Sequence, residues 1–287
     1  MSIPNLVHSE NLSLAWAKTF LLALNSPKNA FSSTLVSVDI KAPKVEECPK
    51  IVNLLTSSYN YLNSQPKYFR KSGRKFISIS DNASLIFPQS LWRPVSKNGY
   101  DNFFEIYTEK VYPKLKKVDT RNKYGTYFLR MIPQLKIILD YWKEEQTRNK
   151  RVRRSALQAS CIEPEKDLEF FMVPVFEYEK DLTKTPMRGF PCLQQVSFCW
   201  NDANELSVSA YYPTQYVFDR GYGNYLGLCN LGSFMATEMG LKFTKLNCFI
   251  NALELGDPNK GEMKVLQRGL SEIGVTLERG DGSWKTV

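Results

Sequence analysis

From Asn224 to Leu241 the sequence is apolar around the whole circumference of a helix. Leu226, Leu228, Cys229, Leu231, Phe234, Met235 and Met239 leave almost no face for water. Such a helix cannot lie on a surface and must be enclosed by other elements. The neighbouring stretches can enclose it. Residues 195–200 set Val196, Phe198 and Trp200 against Gln195, Ser197 and Cys199, and residues 206–211 set Leu206, Val208 and Ala210 against Ser207, Ser209 and Tyr211. Asn201-Asp202-Ala203-Asn204 between them has the chemistry of a hairpin turn. Residues 246–255 return to strand character. A buried helix set among strands predicts an α/β (α+β) protein with a mixed sheet, a central buried helix and flanking helices.

The rest of the chain fits one domain over 1–287, since no repeat or low-complexity linker divides it. Ser9 is placed to cap a helix running to about Leu24. Residues 34–41 alternate as a strand and 49–62 form a helix. Arg74-Lys75-Phe76-Ile77-Ser78-Ile79-Ser80 alternates as a second strand. A helix opens at Asp101 and runs to Lys117. Over 132–146, Ile132, Leu135, Ile138, Leu139 and Trp142 fall on one helical face and Lys136, Asp140 and Lys143 lie away from it. Residues 155–162 read as a strand and 260–273 as a surface helix.

Composition narrows the chemistry. The single histidine, His8, stands near a terminus expected to fray, so histidine-centred triads and Cys/His or HExxH metal sites are not expected. The six cysteines (48, 161, 192, 199, 229 and 248) show no metal-ligand spacing, and four sit in apolar or strand-like stretches. A reducing, cytoplasmic protein without disulfides or metal is the expectation. No apolar run approaches the ~20 residues that span a bilayer, and Met1-Ser2-Ile3-Pro4, with no basic region followed by an apolar stretch, is not expected to begin a secretory signal. The net charge of +9 calls for an anionic partner such as a nucleotide. Nucleic acid stays open as a partner, but no recognition motif supports it.

Phe190-Pro191-Cys192 leads into the alternating hairpin, Val152-Arg153-Arg154-Ser155 precedes it, and Asn224 opens the buried helix. This order, with Tyr124-Gly125 and Gln134-Leu135 upstream, resembles thymidylate synthases and the related pyrimidine hydroxymethylases over roughly residues 122–256. The resemblance implies a homodimer whose sheets pack back to back, which would bury the strands after Cys192 on both faces and Cys199 and Tyr211 with them. It implies Cys192 as the thiolate that adds to carbon 6 of a pyrimidine, and a methylene-tetrahydrofolate as one-carbon donor. It also implies Arg153 and Arg154 on the partner's nucleotide phosphate and Asn224 on the base. A thiolate suits the addition because an anionic, polarisable sulfur is the nucleophile. The arginine fork suits phosphate oxygens, and an amide can read a uracil edge because it both donates and accepts.

Several positions depart from that pattern. Pro213 stands for a phosphate-gripping arginine, Tyr216 for an aspartate near the base, and Leu193 for the histidine after the nucleophile. Leu253 and Leu255 stand where a His and a Tyr hold the ribose, and only Gln89 is available in the region of the catalytic glutamate. Each lost charge-assisted hydrogen bond removes ~1.5–3 kcal/mol, so an ordinary deoxyuridylate site is not expected. Two functions follow. One is a diverged methyl or hydroxymethyl transferase acting on a pyrimidine nucleotide or related substrate through Cys192. The other is a catalytically silent module of the same fold that binds a nucleotide, nucleic acid or protein.

Overall fold

A computed structural model describes residues 5–26, 33–41, 44–65, 75–93, 99–118, 125–147, 172–174, 192–280 and 283–286. The elements are β1 (Asn5–Ser9), α1 (Leu12–Asn25), β2 (Thr34–Asp39), α2 (Pro49–Ser64), α3 (Ile79–Ser84) and α4 (Gly99–Ile106), followed by a π turn (Tyr107–Val111) and α5 (Tyr112–Val118). Next come α6 (Tyr127–Thr147), β3 (Met172–Pro174), β4 (Gln195–Trp200) and β5 (Glu205–Tyr216). A second π turn (Val217–Gly221) leads into α7 (Tyr222–Met239), β6 (Lys242–Glu254), α8 (Lys264–Glu272), β7 (Leu277–Gly280) and β8 (Ser283–Thr286). The protein is mixed α/β. Its sheet runs β1-β2-β6-β5-β4-β3, with β1 and β2 parallel and the β2–β6, β5–β4 and β4–β3 pairs antiparallel. α1 supplies the crossover that a parallel pair requires.

The chain divides into two compact units. One holds residues 1–83, 212–226 and 245–287, and the other residues 84–211 and 227–244. In the first, α1 buries Trp16 and Phe20, and Phe218 meets the rings of Tyr59 and Phe76 edge-on at 5.2 Å each. In the second, Phe87, Phe103, Phe104, Phe128 and Phe234 form one aromatic cluster, and Trp142 donates from Nε1 to the Met239 carbonyl at 2.9 Å. Clustered rings add edge-to-face attraction to the area they bury.

α7 is enclosed nearly all round, as its composition dictates. It begins two residues before Asn224, so Asn224 lies inside the first turn and is not the cap. The amphipathic helix over 132–146 is the core of the longer α6, with the five expected apolar residues buried. The hairpin forms in the expected phase: Val196, Phe198, Leu206, Val208 and Ala210 are buried.

Four expectations are corrected. Over the described part of the expected strand 74–80, residues 75–80 are not a strand, because Ser78 caps α3: its Oγ accepts from Asp81 N–H at 3.0 Å and donates to Asp81 Oδ2 at 2.6 Å. This is the Ser-x-x-acid capping arrangement. The cap of α1 is Asn11, whose side chain accepts from Leu14 N–H at 3.2 Å, while Ser9 Oγ accepts from Asn11 N–H one step earlier. The N-terminal stretch does not fray from residue 5 on. It is β1, and His8 bonds Asp39 Oδ2 at 2.7 Å. Cys199 is exposed, because its side of β4 faces away from the core. The strand expected at 155–162 lies outside the described residues.

Candidate functional site

The head of α7 is where backbone geometry and polar side chains converge. The π turn Val217–Gly221 widens the helix just before α7 begins, a local departure that recurs at functional sites. Three successive carbonyls of this turn accept side-chain hydrogen bonds. Trp16 Nε1 donates to Val217 O at 2.9 Å, Tyr59 Oη to Phe218 O at 2.6 Å, and Asn82 Nδ2 to Asp219 O at 3.1 Å. Burial pushes the Tyr59 hydroxyl far above its ordinary pKa. The Asp219 charge adds to that rise and Arg220 opposes it, so the phenol remains a donor at any working pH.

The turn is packed as tightly as it is bonded. A Cβ on Gly223 would stand 2.3 Å from the Asn82 Cβ and 3.1 Å from the Ile79 carbonyl oxygen, so α7 approaches α3 closely only because residue 223 has no side chain. Gly256, at φ +113°, lies against Asp219 in the same way, and both Asp219 carboxylate oxygens accept from Asp257 N–H at 3.2 Å. Arg220 Nη1 donates to Asn82 Oδ1 at 2.6 Å. One buried amide thus ties the turn's carbonyl to the turn's arginine.

Asn224, one turn further along, is only 6 % exposed. Further along the same helix, Tyr225 Oη donates to the fully buried Gln215 at 2.7 Å. Beneath the head of α7, Cys48 N–H donates to Ser13 Oγ, which bonds Tyr222 Oη at 2.7 Å, and Tyr222 Oη donates to Glu47 at 2.6 Å.

Cys192 belongs to the second unit. It is half-buried in the bend that leads into β4, beside the fully buried Leu193, and Gln194 N–H donates to Tyr211 O at 3.1 Å to fix that bend. Arg153 and Arg154 lie outside the described residues. Among the positions that depart from the resembled pattern, Leu193 and Leu253 are core residues and Gln89 is exposed. None of the described cysteines forms a disulfide. No group of three or more His, Cys, Asp or Glu among the described residues is placed to hold a metal ion, and no described helix is long and apolar enough to cross a membrane.

The sequence reading singled out Asn224 and Cys192 as candidates and passed over Arg220 and Asn82, which the fold joins at the head of α7. The Asn82 signal was the Ser78-x-x-Asp81 cap, which announces a helix and was hidden by the two-residue alternation around it. Arg220 carried no sequence signal: an Asp-Arg-Gly stretch reads as an ordinary loop. No protein-family model matches the chain, and no curated protein matches it.

Proposed function

We propose that the chain is a diverged thymidylate-synthase-like protein that binds a pyrimidine nucleotide or a related anionic heterocycle. In this reading Asn224 holds the base edge and Cys192 is the nucleophile of a one-carbon transfer. The observation that supports the reading is the burial of Asn224, 6 % exposed, in the first turn of a helix enclosed nearly all round. Its amide both donates and accepts, so it can pair with a pyrimidine carbonyl and ring N–H. The thiolate of Cys192 would form a bond to ring carbon 6 while the electron pair of the C5–C6 bond moves toward the carbonyl, leaving carbon 5 nucleophilic. The one-carbon donor implied by the resemblance is a methylene-folate. Arg153 and Arg154 remain the proposed phosphate contacts from a partner subunit.

A homodimer belongs to the same reading. Leu6 on β1 pairs in register with Leu35 on β2, and Leu35 with Phe249 on β6. Leu6 is 59 % and Phe249 50 % exposed, while the alternate row Val7, Val36 and Cys248 is buried. A second copy packed on that face would remove the exposed row from water. The same row also supports the alternative, a catalytically silent binding or assembly module, because it offers a docking face that needs no chemistry. Leu193, Pro213 and Leu253 favour that alternative at the site itself.

The discriminating experiment is protection of Cys192 from iodoacetamide by 2′-deoxyuridine or 2′-deoxycytidine 5′-monophosphate, read by peptide mass spectrometry. The transferase reading expects slower alkylation in the wild type and loss of that protection in Asn224→Ala. Equal alkylation with and without either nucleotide favours the silent module.

A further inference from the structure

The helix that opens at Gly99 is anchored at one end and bare at the other. α4 and the π turn after it bury Tyr100, Phe103, Phe104 and Tyr107, and Tyr107 Oη bonds Thr126 Oγ1 at 2.7 Å. α5 continues the helix without a break and buries no residue, and Val118 at its end is 87 % exposed. From residue 110 to residue 118 the chain carries Lys110, Lys114, Lys116 and Lys117 and no acid. All four lysines are exposed, and none of them forms an ion pair with a described carboxylate. Lys114 and Lys117, three apart within α5, share one side of it.

Two ordinary roles leave this run unexplained. A solvated helix face usually mixes both signs, as α6 does where Lys136 pairs with Asp101 and Asp140. Cations also complement the dipole at a helix C-terminus, but that effect falls off within the last turn, which holds Lys116 and Lys117 and not Lys110 or Lys114. We propose that the α5 end is a docking surface for the phosphodiester backbone of nucleic acid, held without regard to sequence. Lysine is a point charge on a flexible stem and can follow a row of phosphates. α5 carries no Arg, Asn or Gln to read a base edge. Its only exposed large apolar side chain is Val118. That is too little for the apolar centre of a protein interface, or for the broad apolar face of a helix lying in a membrane surface. The net charge of +9 draws the same partner from longer range. The surface is independent of any chemistry at Asn224 or Cys192.

The test is fluorescence anisotropy of labelled single-stranded DNA, in two unrelated sequences, titrated with the full chain. Contacts to three or four phosphates should lower the affinity roughly twenty- to fifty-fold between about 50 and 200 mM salt, equally for both sequences. Lys114→Gln, Lys116→Gln and Lys117→Gln together should weaken binding about ten-fold or more at the lower salt. They should also take roughly 2 from the slope of log affinity against log salt. The same three positions changed to Arg keep the charge and should keep that slope. Lys50→Gln, Lys242→Gln and Lys264→Gln together remove equal charge from exposed positions elsewhere and should also keep it. If the first triple does not fold by circular dichroism, Lys114→Gln alone decides, with a slope change of roughly 0.7. Vesicles containing phosphatidylserine are titrated in parallel. Binding to the vesicles without binding to DNA would overturn the assignment in favour of an anionic lipid surface. An equal loss in both glutamine triples would overturn it by making overall charge the cause. No binding to DNA, binding indifferent to salt, or a strong preference for one sequence would overturn it as well.

Discussion

The side-chain amide of Asn63 closes on both backbone groups of Phe76: Phe76 N–H donates to Asn63 Oδ1 at 2.8 Å, and Asn63 Nδ2 donates to Phe76 O at 2.9 Å. These are the two bonds a neighbouring strand would have made. The side chain stands in for a sheet ladder, so the alternating stretch around Phe76 is held extended outside any sheet. It also keeps the Phe76 ring stacked on Tyr59 at 5.3 Å.

Asn63→Ala should therefore cost more than a surface substitution. It leaves two half-buried backbone groups without their partners, a loss of about 1–3 kcal/mol. Urea unfolding should show a lower midpoint with an unchanged slope, and Asn63→Asp, which keeps only the acceptor, should fall between the two. A midpoint equal to wild type would show that water satisfies Phe76 equally well.

The exposed row Leu6–Leu35–Phe249 leads to a prediction about assembly. Phe249→Lys places a charge at one end of the row without touching the buried face of β6. Sedimentation should give twice the 33.1 kDa chain mass for the wild type at micromolar concentration and the chain mass for the variant. A wild-type protein sedimenting at the chain mass would contradict the dimer.

Near that row, burial tends to raise the Asp39 carboxyl, but hydrogen bonds from His8 and Lys245 and the charges of both outweigh it, so its pKa lies below the ordinary 3.8. The folded pKa is depressed, so the stabilisation is fully present above about pH 3.8 and is lost as pH falls through the folded value. Asp39→Asn should be slightly less stable than wild type at pH 7, and the gap should close as pH falls through the folded value. The pair is largely solvated and the gap correspondingly small. Chemical denaturation from pH 7 into acid measures it, and a gap that widens in acid would reverse the assigned sign.

The sequence disclosed the elements whose burial is one-sided or complete. α2, α6, the β4–β5 hairpin and α7 could be read because periodicity reports which faces meet the core. β1 escaped because Asn5-Leu6-Val7-His8-Ser9 is half polar and is held by pairing with β2, a contact that no local pattern records. β7 escaped because Leu277-Glu278-Arg279-Gly280 carries two charges in four residues. At Cys199 the alternation gave the right phase, while the expectation of burial came from a partner sheet absent from the single chain. In the candidate site, Asn224 was legible because it punctuates an apolar helix. The Asn82–Arg220 bond joins residues 138 apart and could only come from the fold.

The central claim is that Cys192 attacks a pyrimidine ring. Cys199 is exposed and will also alkylate, whereas Cys229 and Cys248 are fully buried and burial pushes the Cys248 thiol far up, so simple reactivity ranks the cysteines without identifying a nucleophile. A mechanism-based adduct does identify it. The protein is incubated with 5-fluoro-2′-deoxyuridine 5′-monophosphate, with and without methylene-tetrahydrofolate, and the modified peptide is mapped by mass spectrometry. The account predicts one covalent nucleotide per chain at Cys192, absent from a folded Cys192→Ala variant and weakened in Asn224→Ala. A protein that stays unmodified by this compound and by the corresponding 5-fluorocytosine nucleotide, with Cys192 intact, would contradict it and leave the silent module as the function of the fold.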